Sequence, residues 1–188
     1  MKKSSIIIIV IVAIVAIIAM MLIGGYNGMV SQKEKVDNAY SNLDVMLQRR
    51  SDLVPNLVNT VKGFTNHENE IIEKITEART KLLNANSVEE KASANNELTS
   101  SLNGLLVVVE NYPDIKSSTN FTQLSDELAG TENRIAVARK DYNDAVNTYN
   151  STIIRFPNSI LAGMFRFEKA SYFEADETSR QAPTVNFD

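Results

Sequence analysis

The chain has 188 residues, enough for one domain and an accessory segment, with 19 Lys and Arg against 23 Asp and Glu. Beyond residue 25 the balance is 17 basic to 23 acidic residues, with no basic block to hold a phosphate backbone, so nucleic acid is excluded as a partner. There is no Cys and a single His, which removes disulfides, thiolate metal sites, Cys nucleophiles, His-pair metal sites and histidine relays.

Ile6 to Ile23 is an unbroken run of 18 apolar residues, about 27 Å of helix at roughly 1.5 Å per residue. With Gly24, Gly25 and Tyr26 it reaches the ~30 Å of a bilayer core and places an aromatic ring at the interface. A cleaved signal peptide would have a shorter apolar region and then a small-x-small site, where this chain has Met20-Met21-Leu22-Ile23. Residues 6–26 therefore read as an uncleaved, single-pass membrane helix behind a short tail, residues 1–5. Lys2 and Lys3 precede the span, whereas Lys33 and Lys35 beyond it are offset by Glu34 and Asp37. Positive charge stays in the cytoplasm, which puts the N-terminus inside and residues 26–188 outside the cell membrane.

Residues 30–156 read as an all-α body. Apolar residues recur at alternating steps of four and three: Val36, Tyr40, Leu43, Leu47, then Val54, Leu57, Val61, Phe64, then Ile71, Ile75, Ala78, Leu82. That is a seam of the coiled-coil or bundle type. Ser87 and Glu90 have capping-box spacing and open a helix running through Leu98, Leu102, Leu105, Val109 and Tyr112, to stop at Pro113. Asn120 is expected to cap the next. That helix has a ladder of large residues every seven positions, Phe121, Leu128, Ile135, Tyr142, Tyr149 and Phe156.

Pro55 decides the helix count. The seam keeps its phase across it, as in one helix kinked where proline removes a hydrogen bond. A single helix over 30–84 would however be roughly 80 Å long, far longer than its neighbours. A turn at Ser51-Asp52, with Asp52 as N-cap and Pro55 in the first turn, gives four comparable helices. The expected fold is an antiparallel up-and-down bundle of four helices, or of three with the first kinked at Pro55. A short helix and an aromatic, acidic tail follow over residues 157–188. The tail is expected to clip onto one end of the bundle; a partner-binding strip is the alternative.

The run RRSDLVPNLVNTVKGFTNHE, Arg49 to Glu68, resembles the signature of the LemA family of bacterial membrane-anchored proteins. ENYPDIK (Glu110 to Lys116) and FTQLSDELAGTENRIAVARKDYNDAVNTYNSTI (Phe121 to Ile153), followed by Phe156-Pro157, extend the likeness. It covers roughly Tyr26 to Asp188, and two long motifs in the right order make it specific. The resemblance implies one N-terminal membrane helix, an antiparallel helical bundle and no established chemistry. It also implies an N-terminus outside the cell, against the charge reading followed above.

Chemistry is sparse. His67-Glu68 beside Glu70 and Glu73 lacks both the second His of a zinc-protease helix and the paired Glu-x-x-His of a di-iron bundle. No cofactor or metal is expected, and no catalytic residue. Gly63, Gly104 and Gly130 stand alone and form no phosphate loop; they fit close helix contacts or local breaks. Arg50 and Glu68 place charges on the seam, with Arg49 one step off it. Glu132, Arg134, Arg139 and Asp141 are the expected partners from another helix. An ion pair fixing helix register is the first reading and a ligand-binding polar site is the second. Two functions fit: a non-catalytic, membrane-tethered interaction or scaffold protein of the cell envelope, or an extracytoplasmic sensory or solute-binding bundle working through a partner. The expected partners are the lipid bilayer and other membrane or envelope proteins; a homo-oligomer is compatible.

Overall fold

A computed structural model describes residues 3–63 and 68–174, with side chains from residue 6 onward. Six helices follow in order among the described residues: α1 (Lys3–Lys62), α2 (Asn69–Asn84), α3 (Val88–Val109), α4 (Pro113–Lys116), α5 (Thr119–Ile154) and α6 (Asn158–Phe165). No strand occurs among the described residues. The expected positions Lys2, Phe64 and His67 lie outside the described residues, as does the tail beyond Glu174.

One described helix, α1, is long and apolar enough to cross a membrane by length and composition. Its apolar stretch from Ile6 to Ile23 is exposed throughout. The turn expected at Ser51-Asp52 is absent, and α1 passes through Pro55 without a break. The reason is a substitute donor. Pro55 has no N–H for the Ser51 carbonyl, and Arg79 Nε from α2 donates to that oxygen at 2.7 Å instead.

The contacts divide the chain into two compact units. One takes Tyr40–Asn143 together with the described residues from Ser171. Its core joins the α1 seam at Val54, Leu57 and Val61 to Ile75 and Leu82 of α2, Leu98 and Leu105 of α3, and Phe121 and Leu128 of α5. α2 and α3 pack side by side, and Ile71 reaches within 3.0 Å of where a Cβ on Gly104 would stand, so that glycine admits a close approach. Ser87 and Glu90 form the expected capping box, with Ser87 Oγ accepting from Glu90 N at 3.1 Å. Two boundaries differ from expectation. Pro113 opens α4, because a missing N–H costs nothing in a first turn, and α4 seats the fully buried Ile115 in the core. α5 starts at Thr119, so Asn120 lies inside its first turn rather than at the cap.

The second unit takes the described residues through Ala39 with Asp144–Ala170. Met29 and Val36 of α1, Val146, Tyr149 and Ile153 of α5, and Leu161 and Ala162 of α6 are its buried hydrophobic residues, and Asn150 of α5 is buried with them. The ring of Tyr26 lies edge-on to Phe165 and Phe167, with centroids 4.8 and 5.8 Å away. Phe156, the last rung of the large-residue ladder, is exposed, because α5 ends at Ile154 and the chain turns through a cis Phe156–Pro157 bond.

After α6 the chain runs on without helix from residue 167 to residue 174, and α5 holds it by its main chain. Asn150 Nδ2 donates to Ala170 O and Asn150 Oδ1 accepts from Ala170 N, both at 2.9 Å, while the Tyr149 hydroxyl donates to Glu168 O at 2.9 Å. In the other unit the same Tyr-Asn pair recurs: Asn143 exchanges both bonds with Phe173, at 3.1 and 2.8 Å, and Tyr142 donates to Ser171 O at 2.7 Å. Phe173 is buried, so the extension adds to the core as well as lying along the helix.

Candidate functional site

The α1 seam is apolar except where Arg50 interrupts it, and that side chain is only 4% exposed. Such burial requires satisfied donors. Arg50 Nη1 donates to Asn95 Oδ1 at 2.8 Å and to Thr99 Oγ1 at 2.9 Å, both from α3. The Thr99 hydroxyl donates its own proton to Asn95 O, one turn back, which frees its oxygen to accept from the guanidinium. Glu132 of α5 adds an ion pair at 2.6 Å, its side chain partly exposed at the edge of the site. That contact is not aligned as a hydrogen bond: Glu132 Oε2 has no hydrogen-bond partner among the described residues, nor has Arg50 Nε. Burial is the larger influence on Arg50 and pulls its pKa below the ordinary value, against the opposing pull of Glu132. The guanidinium remains charged across the working pH range.

Arg50 and Glu132 line a cavity of about 300 Å³ in this unit. Leu57, Leu102, Leu106 and Leu128 make its walls apolar, while Thr99, Ser125 and Asn133 add polar groups. Ser125 Oγ has no hydrogen-bond partner among the described residues. An apolar groove with convergent polar atoms suits the holding of a small amphipathic solute. No group of three or more Asp, Glu, His or Cys that could hold a metal occurs among the described residues.

The other expected site residues are scattered. Arg49 is exposed and pairs with Glu127 at 2.8 Å. Glu68 lies just before α2 and accepts from the Tyr112 hydroxyl at 2.8 Å. Arg134 and Asp141 are exposed and Arg139 is half-buried. The partners given for Arg50 therefore reduce to Glu132, because only that side chain on α5 reaches the seam beside Asn95 and Thr99.

Sequence reasoning missed Asn95, Thr99, Arg79 and Lys91. Asn95 stands seven residues before Leu102 and Lys91 seven before Leu98, so carrying the α3 seam toward its start would have found both. Lys91 is largely buried, pairs with Asp44 and lies 5.5 Å from the centre of the Tyr40 ring. Burial lowers its pKa most, but Asp44 and Tyr40 together outweigh that and the net shift is upward.

Regular structure that is all helix among the described residues, with one helix long and apolar enough to cross a membrane, defines an all-α protein with a candidate membrane helix. The chain belongs to the LemA family, whose sequence model matches residues 39–187. It is similar to the magnetosome protein MamQ 2 of Paramagnetospirillum magneticum, 30% identical over 179 residues, covering 81% of this chain and 66% of that protein. It is also similar to the protein LemA of Metamycoplasma hominis, 28% identical over 159 residues, covering 84% of this chain and 73% of the relative. A third relative, the magnetosome protein MamQ of Magnetospirillum gryphiswaldense, is 26% identical, with 81% of this chain and 65% of that protein covered. The chain thus spans about two thirds of the length of its MamQ relatives.

Proposed function

We propose that this protein is a non-catalytic, membrane-tethered helical bundle that holds other membrane or envelope proteins. α1 is its single-pass anchor, with the N-terminus cytoplasmic and the antiparallel helical body outside. The observation that carries this reading is that α1 contains both the exposed apolar stretch, Ile6 to Ile23, and the buried seam ending at Val61. A tether made of the same helix as the binding body suits a protein that positions partners at a membrane. The Arg50 site fits the same reading, since its cation is committed to two acceptors and one carboxylate rather than poised beside a nucleophile. Relatives under two names, LemA and magnetosome protein MamQ, share the family without a reaction in either name.

The test is photocrosslinking in intact membranes from exposed positions of the body, such as Val45 and Val137. One abundant envelope protein, recovered from several positions, is the expected result. External protease on spheroplasts should remove the body and leave the N-terminal tail protected; protection of the body would reverse the orientation.

A second reading, a solute-binding bundle acting through a partner, draws on the cavity beside Arg50 with its unpartnered Nε and Ser125 hydroxyl. Solute-dependent protection of α3 and α5 from hydrogen exchange would favour it over the first.

A further inference from the structure

We infer that α6 lies in the membrane interface, its outer face in contact with lipid at the end of the span formed by α1. The inference rests on reading α1 as the membrane anchor. α6 has no charged residue among its eight, Asn158 to Phe165, and is apolar on both sides. Leu161 and Ala162 face inward and are buried. Ile160, Met164 and Phe165 are more than half exposed, and Phe156, just before the helix, is 82% exposed. Ile160 and Met164, four apart within α6, share one outward face. Isolated apolar residues on a surface need no explanation, but an exposed apolar face on an uncharged helix does.

Its position in the unit supplies the occupant. The inner face of α6 packs on α1 at Gly25, where the membrane-length run ends: Asn158 Oδ1 and Leu161 Cδ1 lie 2.9 and 3.0 Å from where a Cβ on Gly25 would stand. The absence of a side chain at Gly25 is what lets α6 approach so closely. At the same level the Tyr26 ring packs edge-on against Phe165. α6 is thus seated on α1 at the end of its exposed apolar run, with its own apolar outer face exposed at that level. Arg155 and Arg166 bracket α6 and are both exposed, where long basic side chains reach phosphate headgroups while the helix between them sits in the acyl boundary. The tight turn after α6 keeps that arrangement short: Arg166 takes a left-handed conformation at φ 57°, and Phe167 N bonds back to Ala162 O at 2.9 Å.

The absence of Cys makes the test direct, because one introduced thiol carries the only label. The full chain, carrying Met164→Cys or Ile160→Cys with an environment-sensitive fluorophore, is reconstituted in vesicles of phosphatidylcholine with a quarter phosphatidylglycerol. Val107→Cys, on an exposed position of α3, and Ile14→Cys, within the apolar run, serve as references. Quenching by lipids brominated near the headgroup should be about threefold stronger at 160 and 164 than at 107, and aqueous iodide should quench them correspondingly less. Strong iodide quenching at 160 and 164, equal to that at 107, would overturn the inference. Protection from both quenchers would overturn it too, since a protein surface, and not lipid, would then cover that face. Quenching at 14 by lipids brominated deep in the acyl chain separates the two levels of the argument: if it is lost, α1 does not span and the anchor reading fails as well; if it is kept, only the placement of α6 is at stake.

Discussion

Arg79 Nε lies 2.7 Å from the Ser51 carbonyl, the oxygen that would have accepted from residue 55 had that residue not been proline. A helix interior normally pays for proline with an orphaned acceptor and a clash. Here a side chain from the next helix replaces the missing donor, and α1 continues for another two turns to Lys62.

The two residues should therefore be coupled. Arg79→Ala leaves the Ser51 carbonyl without its donor and should cost about 1–3 kcal/mol. In a Pro55→Ala background the new amide serves that carbonyl, so the same change should cost about 1 kcal/mol less. A double-mutant cycle of chemical unfolding followed by circular dichroism measures the difference. Strict additivity would mean that the Arg79 bond does not compensate for the proline.

Arg50 should be far more costly to remove than its neighbour. Arg50→Ala strands Asn95, Thr99 and Glu132 and opens a void, for an expected loss of about 2–4 kcal/mol. Arg50→Met keeps much of the volume but restores none of those bonds, and should lose nearly as much. Arg49→Ala breaks only an exposed pair with Glu127 and should stay within about 0.5 kcal/mol. Equal, small effects at both positions, read from denaturant midpoints, would show that Arg50 carries no structural weight.

The Tyr-Asn pairs should control the extension locally. Asn150→Ala removes a donor and an acceptor from Ala170 together, and amide exchange should speed up in residues 167–171 with α2 and α3 unchanged. Asn150→Asp keeps the acceptor for Ala170 N–H but sets an oxygen against Ala170 O, so its effect should be intermediate or worse. Unchanged exchange in the alanine variant would mean that the extension is held by its buried side chains alone.

One contact of the extension should depend on pH. A hydrogen bond from the Ser171 side chain is the chief reason that the Glu89 carboxyl is held below its usual range, helped by the Glu89 backbone amide and by Ser87, and opposed by slight desolvation. A depressed pKa favours the folded chain when the group is ionised. The contribution is complete above the unfolded value of about 4.3 and is lost as pH falls through the lower folded value. Ser171→Ala should lower the denaturant midpoint at pH 7, and its effect should shrink as pH falls and vanish once Glu89 is protonated in both states. A difference that persisted in acid would assign the effect to packing.

The seam was legible because it repeats within one helix: Val54, Leu57 and Val61 announce their own burial, and Arg50 stands out against them. Its carboxylate partner could be narrowed only to a group of charges on α5, since periodicity fixes a face but not which residue of a distant helix arrives opposite. Asn95 lay on a seam too, and was overlooked because an asparagine does not break an apolar pattern as conspicuously as an arginine. The course of α1 through Pro55 could not be read locally at all. Its remedy is Arg79, 28 residues from the Ser51 carbonyl that it serves, whose stem and charge look like any solvated helix residue. The extension was harder still, because Asn143 and Asn150 bond to main-chain atoms that every residue but proline possesses.

A carboxamide that bonds both the N–H and the C=O of one residue imitates a single rung of a neighbouring strand. On α5 the imitation recurs after seven residues, about 10.5 Å of helix rise, and on the extension after three, about 10 Å of extended chain. Helix and extended chain are thus commensurate over one repeat, and the helix acts as a ruler for a segment with no regular partner of its own. Such a ruler is indifferent to side chains. The main-chain bonds at 170 and 173 ask only that neither residue be proline, whereas the buried ring of Phe173 and the Ser171 hydroxyl on Glu89 add contacts of their own. The address of the extension is written in the residues that receive it.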